Sequence, residues 1–374
     1  MRLFFVLIFL IIHLFAQSPA DSNNTENNAT ESFKNTSIQE GKTDTVVVKG
    51  LKLEGQVVGL TSESLRFELI YGRGAILISF ADIDKLTTQH NYHIFYNGKE
   101  SEGKIVGINE HQWLITQNGT QRELIEIKTI DRFILSNTED TSMNNYLHNS
   151  FPFITGNVDL KIELENTDPA TNELDLSTRI EYARKRDRLI ILGNIEHDTK
   201  TASTGEKTTS KDEYDFSANY NRYLDFGKEN FALAIGGYEH DGLRNIDHRL
   251  FGAVGLGHRF SMAKKQWLDV GAGLGAVDDD FGTYGTEHYM ALYSNLEFLY
   301  TFSDGIFSRG YIRYMPSIFH DSPSWLFRAG ISLTAPLSQM LALKISLTDV
   351  DDNNPTPQIG NNKLTTDIGL SILF

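Results

Sequence analysis

Cysteine is absent from the 374 residues. Its absence removes disulfides, thiolate metal sites, cysteine nucleophiles and the lipidated Cys of a bacterial lipoprotein anchor, and it fits an oxidising envelope compartment. Basic residues are few relative to acidic ones: 34 Lys and Arg stand against 49 Asp and Glu, a formal charge of −15. Phosphate binding needs a basic surface, so nucleic acid is not an expected partner. Long apolar runs are missing too. Past the N-terminal stretch ending at Ala16, none reaches the roughly 20 residues of a spanning helix, and mean hydropathy is negative. A helical membrane protein is excluded. A membrane β-barrel is not, because each of its strands turns only one apolar face to lipid.

Arg2 precedes an apolar stretch from Leu3 to Phe15, too short to span. This predicts a signal peptide over residues 1–20, cleaved after Ala16 or Ala20. Residues 21–43 are rich in Asn, Ser, Thr and Glu and predict a disordered linker. Residues 44–136 carry an internal repeat: Glu54-Gly55-Gln56-Val57-Val58-Gly59-Leu60 matches Glu102-Gly103-Lys104-Ile105-Val106-Gly107-Ile108, and Ile83-Asp84-Lys85 matches Ile130-Asp131-Arg132. The pattern predicts two small, strongly bent sheets, similar to Sm-like or SH3-like barrels, with bulges permitted at Gly55 and Gly103. Neither copy has the basic and aromatic residues of an RNA-binding surface. The pair reads as a periplasmic interaction module, with a partner for 44–136, or as a spacer. Residues 137–153 read as a second linker.

From 154 to 374 the pattern changes to alternating strands, about twelve of them. Val158, Leu160, Ile162 and Leu164 alternate with Asp159, Lys161, Glu163 and Glu165; Tyr214, Phe216, Ala218 and Tyr220 alternate with Asp215, Ser217, Asn219 and Asn221. Tight turns near Arg186, Gly227, Lys264, Asp304 and Ser338 alternate with longer acidic connections, among them Lys200–Asp212, Asp241–Asp247, Asp278–Glu287 and Asp349–Lys363. The fold class is therefore all-β: an antiparallel transmembrane barrel preceded by two small β modules. An even strand number puts both barrel ends, and with them the module, on the periplasmic side of a bacterial outer membrane. Gly369, Ile372 and Phe374 fit the C-terminal strand signal read by the barrel assembly machinery. Outer-membrane lipid and lipopolysaccharide are the other expected partners.

Two stretches carry a family resemblance. One is Arg249-Leu250-Phe251-Gly252-Ala253-Val254-Gly255-Leu256-Gly257-His258-Arg259-Phe260, preceded by Tyr238-Glu239-His240-Asp241. The other is Asp351-Asp352-Asn353-Asn354-Pro355, followed by Asp367, Gly369, Leu370 and Phe374. Over about 155–374 the chain resembles the salt-induced outer-membrane proteins, domain of unknown function 481; His258 stands where such segments usually have Tyr. The resemblance implies an envelope location and no mechanism.

Chemistry has few candidates. His197-Asp198, His240-Asp241 and His320-Asp321-Ser322 fall at outer strand ends, where a hydrolase acting on lipid or peptide could sit. Adjacent residues in a strand face opposite ways, so such a site must form across strands. A polar rim is the simpler reading, and no enzyme is expected. Asp278, Asp279, Asp280, Asp351 and Asp352 are candidate ligands for a hard cation, with solvated loop charge as the alternative. No cofactor is expected. The glycines at 252, 255 and 257, and at 271, 273 and 275, alternate within strands with no helix following, so they are not nucleotide loops; they would leave lumen space. Lys161, Arg179, Glu181, Arg259, Asp269, Glu297, Arg313, Arg328 and Lys344 are expected to line the lumen. Mixed signs there predict either pairing that fills the barrel or a narrow porin-like path. The leading expectation is a non-enzymatic narrow channel or envelope-structural, osmotic-stress protein. Alternatives are the rim hydrolase and a surface receptor using acidic loops.

Overall fold

The computed structural model describes residues 43–60, 64–70, 75–109, 113–165, 170–184, 186–201, 204–205, 207–225, 229–263, 266–302, 305–318, 324–338, 340–352 and 362–374. The expected signal peptide and first linker, the His320-Asp321-Ser322 run and Asn353-Asn354-Pro355 lie outside the described residues.

Two five-stranded antiparallel sheets come first. Strands β1 (Asp44–Val48), β2 (Leu51–Leu60), β3 (Ser64–Leu69), β4 (Ala75–Ser79) and β5 (Ile83–Thr87) lie in the order β4-β3-β2-β1-β5. Strands β6 (Tyr92–Tyr96), β7 (Lys99–Ile108), β8 (Trp113–Asn118), β9 (Gln121–Glu126) and β10 (Ile130–Leu135) lie in the order β10-β6-β7-β8-β9, the same arrangement. A 3-10 turn precedes the last strand of each, Phe80–Asp82 and Ile127–Thr129. The register shifts fall between Val57 and Gly59 and between Ile105 and Gly107. The bulges therefore sit at Val58 and Val106, not at Gly55 and Gly103 as expected. Those two glycines serve a close approach instead: a Cβ on Gly103 would stand 2.5 Å from the Gln117 carbonyl oxygen.

One hydrophobic core, including Val46, Phe67, Leu86, Ile94, Ile105 and Ile125, runs through both sheets. Strand β5 packs on β7 and, reciprocally, β10 on β2. Asp44 and Tyr92 pair with Gly55 and Gly103, so they hold equivalent positions in the two copies, and they meet each other. Asp44, fully buried, accepts from the Tyr92 hydroxyl at 2.5 Å, from the Val57 amide at 3.0 Å and from the Gln89 amide at 2.8 Å. It also contacts His90 Nδ1 at 3.0 Å. Equivalent residues in mutual contact make the two copies a two-fold-like pair, the intrachain counterpart of an isologous interface.

The 137–153 segment, expected as a linker, contains helix α1 (Met143–Ser150) with Ser142 as its N-cap. Asn149 donates to the Leu135 carbonyl at 2.9 Å and Asn145 to the Asp140 carbonyl at 2.8 Å, tying the helix to the end of β10. Its asparagines read as linker composition because they are poor helix formers; here their side chains cap backbone carbonyls. Beyond it, the Phe153 ring meets Phe95 edge-on at 6.1 Å and Tyr182 at 6.3 Å, with the Arg184 guanidinium 4.5 Å over its face.

The rest is a closed antiparallel barrel of twelve strands, β11 to β22. They are β11 (Ile154–Glu165), β12 (Ala170–Ala183), β13 (Asp187–Thr201), β14 (Lys207–Tyr223), β15 (Asn230–Asp241), β16 (Ile246–Ala263), β17 (Gln266–Asp280), β18 (Thr286–Thr301), β19 (Phe307–Pro316), β20 (Trp325–Pro336), β21 (Leu341–Asp352) and β22 (Asn362–Leu373). Several are longer than expected, at the expense of the acidic connections. Thr201 pairs with Lys207 and Asp280 with Thr286, so the ends of Lys200–Asp212 and Asp278–Glu287 are ladder rather than loop. The exterior carries Phe216, Val254, Leu256, Leu274, Leu292, Ile368 and Leu370, all exposed. An apolar exterior, a charged interior and an even strand number are the features of the outer-membrane barrel fold.

The barrel closes where β11 meets β22, over Asn157↔Leu373 to Leu160↔Leu370. Gly156 and Phe374 extend that seam by exchanging both backbone hydrogen bonds, at 2.8 and 3.1 Å. A Cβ on Gly156 would stand 2.7 Å from the Phe374 ring; the missing side chain is what lets the ring lie down.

Alternation breaks on one wall. Phe231, Leu233 and Ile235 point inward from β15 and join Phe251, Val277, Tyr289, Tyr293, Met315 and Leu326 in a buried cluster inside the barrel. Of the glycines expected to leave lumen space, Gly257 is covered by Phe231 and Gly271 by Leu233, and Gly275 lies against Met315, whereas Gly255 and Gly273 meet neighbouring backbone. A Cβ on Gly257 would stand 2.3 Å from Phe231, and one on Gly237 2.3 Å from Phe251. Gly257→Val is therefore expected to cost the barrel about 1–3 kcal/mol by overpacking, read as a lower urea midpoint of the refolded protein. A midpoint equal to wild type would show that the ring has room to move.

Candidate functional site: the barrel lumen

All nine expected lumen residues face inward, and most of them meet partners across the barrel. At the end nearer residues 154 and 374, Arg188 of β13 is the hub. It donates to Glu181 at 2.8 Å, to Asp269 of β17 at 3.2 Å and to Glu297 of β18 at 3.3 Å. Arg179 reaches Glu297 at 2.8 Å, and Arg259 holds both oxygens of Asp269 at 2.6 Å. Trp267 lies between two guanidiniums, 4.4 Å from Arg188 and 4.3 Å from Arg259. Three guanidiniums thus face three carboxylates in one layer. Arg309 of β19 approaches Glu181 from the far wall at 4.0 Å. Bidentate, charge-assisted pairing of this kind suits arginine and not lysine.

A second layer lies toward the other end. Arg249 of β16, 1% exposed, donates to Asp279 at 2.6 Å, to Asp352 of β21 at 2.6 Å and to Glu239 at 3.1 Å. Arg244, from the turn after β15, folds inward to Asp352 at 2.5 Å. Arg328 of β20 closes on Glu239 and stands 3.9 Å from Asp215. Sequence reasoning placed neither Arg188 nor Arg249 among the lumen residues. Arg188 was hidden beside a turn and Arg249 inside the glycine-rich run, although strand parity would have found both.

The remaining wall is lined by lysines. Lys161 pairs with Glu173, Lys344 with Asp159 and Lys363 with Glu213; Lys211 lies 3.4 Å from Glu196 and 3.7 Å from Asp198. Lys344 and Lys363 reach from β21 and β22 to β11 and β14. Along this wall runs a cavity of about 260 Å³, lined from Asn157 and Ser371 near one end to Asp241 and Lys363 near the other. Arg313 is buried with its ring contact to Tyr311 at 5.5 Å. Glu173, Asp175 and Asp198 come close enough to share a cation, but Lys161 and Lys211 already stand against them.

Residues 137–374 match the family described as "Protein of unknown function, DUF481". The chain belongs to the DUF481 family. The description says nothing of salt induction. No curated protein sequence matches the chain. Among solved structures, the barrel is similar to the translocator domain of the autotransporter NalP from Neisseria meningitidis, with 11% identity over 59% of this chain and 87% of that one, at a TM-score of 0.31. It is also similar to a bacterial polysaccharide outer membrane secretin, with 9% identity over 59% and 97% and a TM-score of 0.32. A third is the beta domain of the Bordetella autotransporter BrkA, with 10% identity over 59% and 97% and a TM-score of 0.28.

The remaining candidates of this DUF481 barrel sit on its exterior or divide between faces. His197 and His240 point outward, on either side of Asp212. Neither imidazole is hydrogen-bonded to a seryl hydroxyl among the described residues. The triple aspartate is split by the pleat: Asp279 enters the lumen to meet Arg249, while Asp278 and Asp280 turn outward to His288 and His248. Asp352 is likewise inside and its neighbour Asp351 on the other face. Neither run gathers on one ion. Gly369 faces inward with open space beside it, Ile372 faces outward, and Phe374 closes the seam.

Proposed function

We propose that this chain is a non-enzymatic outer-membrane protein whose barrel is closed to solutes and fastens the paired β module of residues 44–136 on the periplasmic side. The reading rests on the ion pairs that cross the lumen at two levels. Arg188 joins β13 to β17 and β18, and Arg249 joins β16 to β21. Each rung crosses the lumen with buried charge that water or a solute would have to displace. The apolar cluster under β15 to β20 fills the adjoining wall. The cavity that remains is lined by Asp159, Lys344, Glu213 and Lys363, which are paired with one another across the wall, so a solute passing there would have to displace these pairs too. The Phe95–Phe153–Tyr182 contacts give the module a fixed attachment to the barrel's edge.

Reconstituted into liposomes holding a potassium gradient, the protein is expected to leave the gradient intact. Rapid dissipation in proportion to protein would reject a closed lumen. Sidedness is read in whole cells: a tag at Gly205 should be labelled from outside and one at Gly98 should not. Labelling at Gly98 alone would invert the topology.

A further inference from the structure

The wall of the barrel is not equally closed all round. Between β18 and β19, the shortest of the other ladders, eight pairs run from Ser294↔Tyr314 to Thr301↔Phe307. The β11–β22 ladder has four and stops at Leu160↔Leu370. Both strands go on beyond that rung. β11 stays paired with β12 as far as Glu165↔Thr171, and β22 with β21 back to Asn362↔Asp351. In a continued ladder Lys161 would face Gly369, and Glu165 would face Thr365. Among the described residues these positions have no partner across the seam, so the two strands part in the half of the barrel remote from residues 154 and 374.

About five residues on each edge, at about 3.3 Å each, leave a gap about 16 Å long, roughly half the height of a hydrocarbon core. Hydrocarbon does not tolerate such unpaired backbone unless it lines a polar cavity. Here it does. A cavity of about 70 Å³ crosses the wall where the ladder stops. Its lipid-facing side is made by Leu160, Ile368 and Leu370, all exposed. Its lumen side shares Ser177, Asn194, Glu196, Lys344 and Asp367 with the longer cavity along the lysine wall. Gly369 stands at the passage and keeps it clear: no atom lies within 4 Å of where its Cβ would be.

We infer that this gap is a lateral binding site for a membrane amphiphile with an ammonium head group. The chain lies in the bilayer against Leu160, Ile368 and Leu370, and the head passes Gly369 into the lumen cavity. Charge complementarity selects the head. Lys344 is taken by Asp159 and Lys161 by Glu173, and Asp175 stands 3.8 Å from that same Lys161. Asp367 meets no hydrogen-bond donor and no cation within 4 Å among the described residues. An ammonium brings three donors and the missing positive charge, whereas an anionic head adds to the surplus of carboxylates. The site needs a bilayer around the barrel, and it holds whether or not the lumen conducts.

Two measurements on the refolded full chain test this, with folding checked by heat-modifiable migration. The chain has no cysteine, so introduced pairs are its only thiols. Asp159→Cys with Ser371→Cys sits on a rung of the seam and should bridge under mild oxidation, read as faster migration of the unfolded, unreduced chain. Lys161→Cys with Gly369→Cys, two residues further along, should not, because Cα atoms more than about 7 Å apart cannot be bridged. Equal bridging in both pairs overturns the proposal. The second measurement is calorimetry with dodecylammonium chloride in dodecyl maltoside, after subtraction of its partitioning into empty micelles. One saturable site per chain is expected, and none for laurate of the same chain length. Asp367→Asn should weaken the site by at least about tenfold, and Asp278→Asn, on the barrel exterior, should leave it unchanged. Absence of a saturable ammonium site overturns the proposal. Equal binding of laurate, or wild-type affinity in folded Asp367→Asn protein, does so too.

Discussion

Replacing Arg249 with alanine is expected to cost the barrel about 3–5 kcal/mol, the usual consequence of leaving buried carboxylates without their counterion. Glu239, Asp279 and Asp352 all face this one guanidinium; Glu239 keeps Arg328 and Asp352 keeps Arg244, so the cost falls mainly on Asp279. Arg249→Lys should recover little. An ammonium has no planar fork with which to reach Asp279 through Nε and Asp352 through Nη1. The expected readout is a large fall in the urea midpoint of the refolded protein, together with loss of the heat-resistant folded band on gels. A midpoint within about 0.5 kcal/mol of wild type, the range of an ordinary surface substitution, would mean that water satisfies these carboxylates and that the layer is not a sealed one. Replacing Arg249 and Asp279 together with apolar residues of similar volume should restore part of the stability, because Glu239 and Asp352 keep Arg328 and Arg244 and the cost lies in the unpaired charge and not in loss of the pair as such.

The second large effect is expected at Asp44. Asp44→Ala strands the Tyr92 hydroxyl and the Val57 and Gln89 amides, and each buried donor left unpaired costs about 1–3 kcal/mol. A loss of about 3–5 kcal/mol follows, confined to residues 44–136 and read by hydrogen exchange across that region of the full chain. The carboxylate also sets a pH dependence. Burial by itself would raise the Asp44 pKa, but hydrogen bonds from His90, Tyr92 and the Val57 amide outweigh it and hold the carboxyl below its ordinary value. A depressed folded pKa means that the stabilisation is present above the unfolded value, about 4, and is lost as pH falls through the folded one. Burial and the Asp44 charge push the Tyr92 phenol well above its usual range, so that hydroxyl stays a donor throughout. Protection of β1, β2 and β6 should therefore be flat from neutral pH down to about pH 5 and should decline below about pH 4. Asp44→Asn should lower protection throughout and flatten the acid decline. A decline of unchanged steepness in Asp44→Asn would assign the titration to another carboxylate.

Much of the barrel was legible because parity is a strict signal. Once Val158, Leu160 and Ile162 are assigned outward, Asp159 and Lys161 must face in, and the same rule puts Arg179, Glu181, Asp269, Glu297 and Arg328 on the lumen side. Parity fails where both faces are apolar. Phe231-Ala232-Leu233-Ala234-Ile235 has no polar face to name the lumen side, so the internal apolar cluster could not be read. Nor could the glycines opposite it be told apart from lumen-opening ones. Partner choice across the lumen was equally hidden: Arg188 and Glu297 are 109 residues apart in sequence and meet only because the barrel closes. The acidic runs misled for a physical reason. The end of Lys200–Asp212 has loop composition because Lys211 faces a charged lumen and Asp212 an imidazole on the outside, and neither environment asks for apolar residues. At the rim, His197 and His240 were visible as candidates, but Asp212 was not, since adjacency in the sequence pointed to Asp198 and Asp241, which face the other way. In the paired module, the copies were legible from Gly55-Gln56-Val57 and Gly103-Lys104-Ile105. The Asp44–Tyr92 contact was not, because the two equivalent positions carry different residues.

Single-channel recording on the refolded full chain in planar bilayers tests the closed lumen most directly. In potassium chloride the wild-type protein should show no steady unitary steps at any voltage that the bilayer withstands. The Arg188→Ala/Arg249→Ala double variant, assayed if it refolds, should show steps, because each substitution removes a rung that spans the barrel. Arg328→Ala, which removes one cross-barrel pair and leaves both hubs in place, should fall between the two. Steady unitary conductance in the wild-type protein would contradict the account.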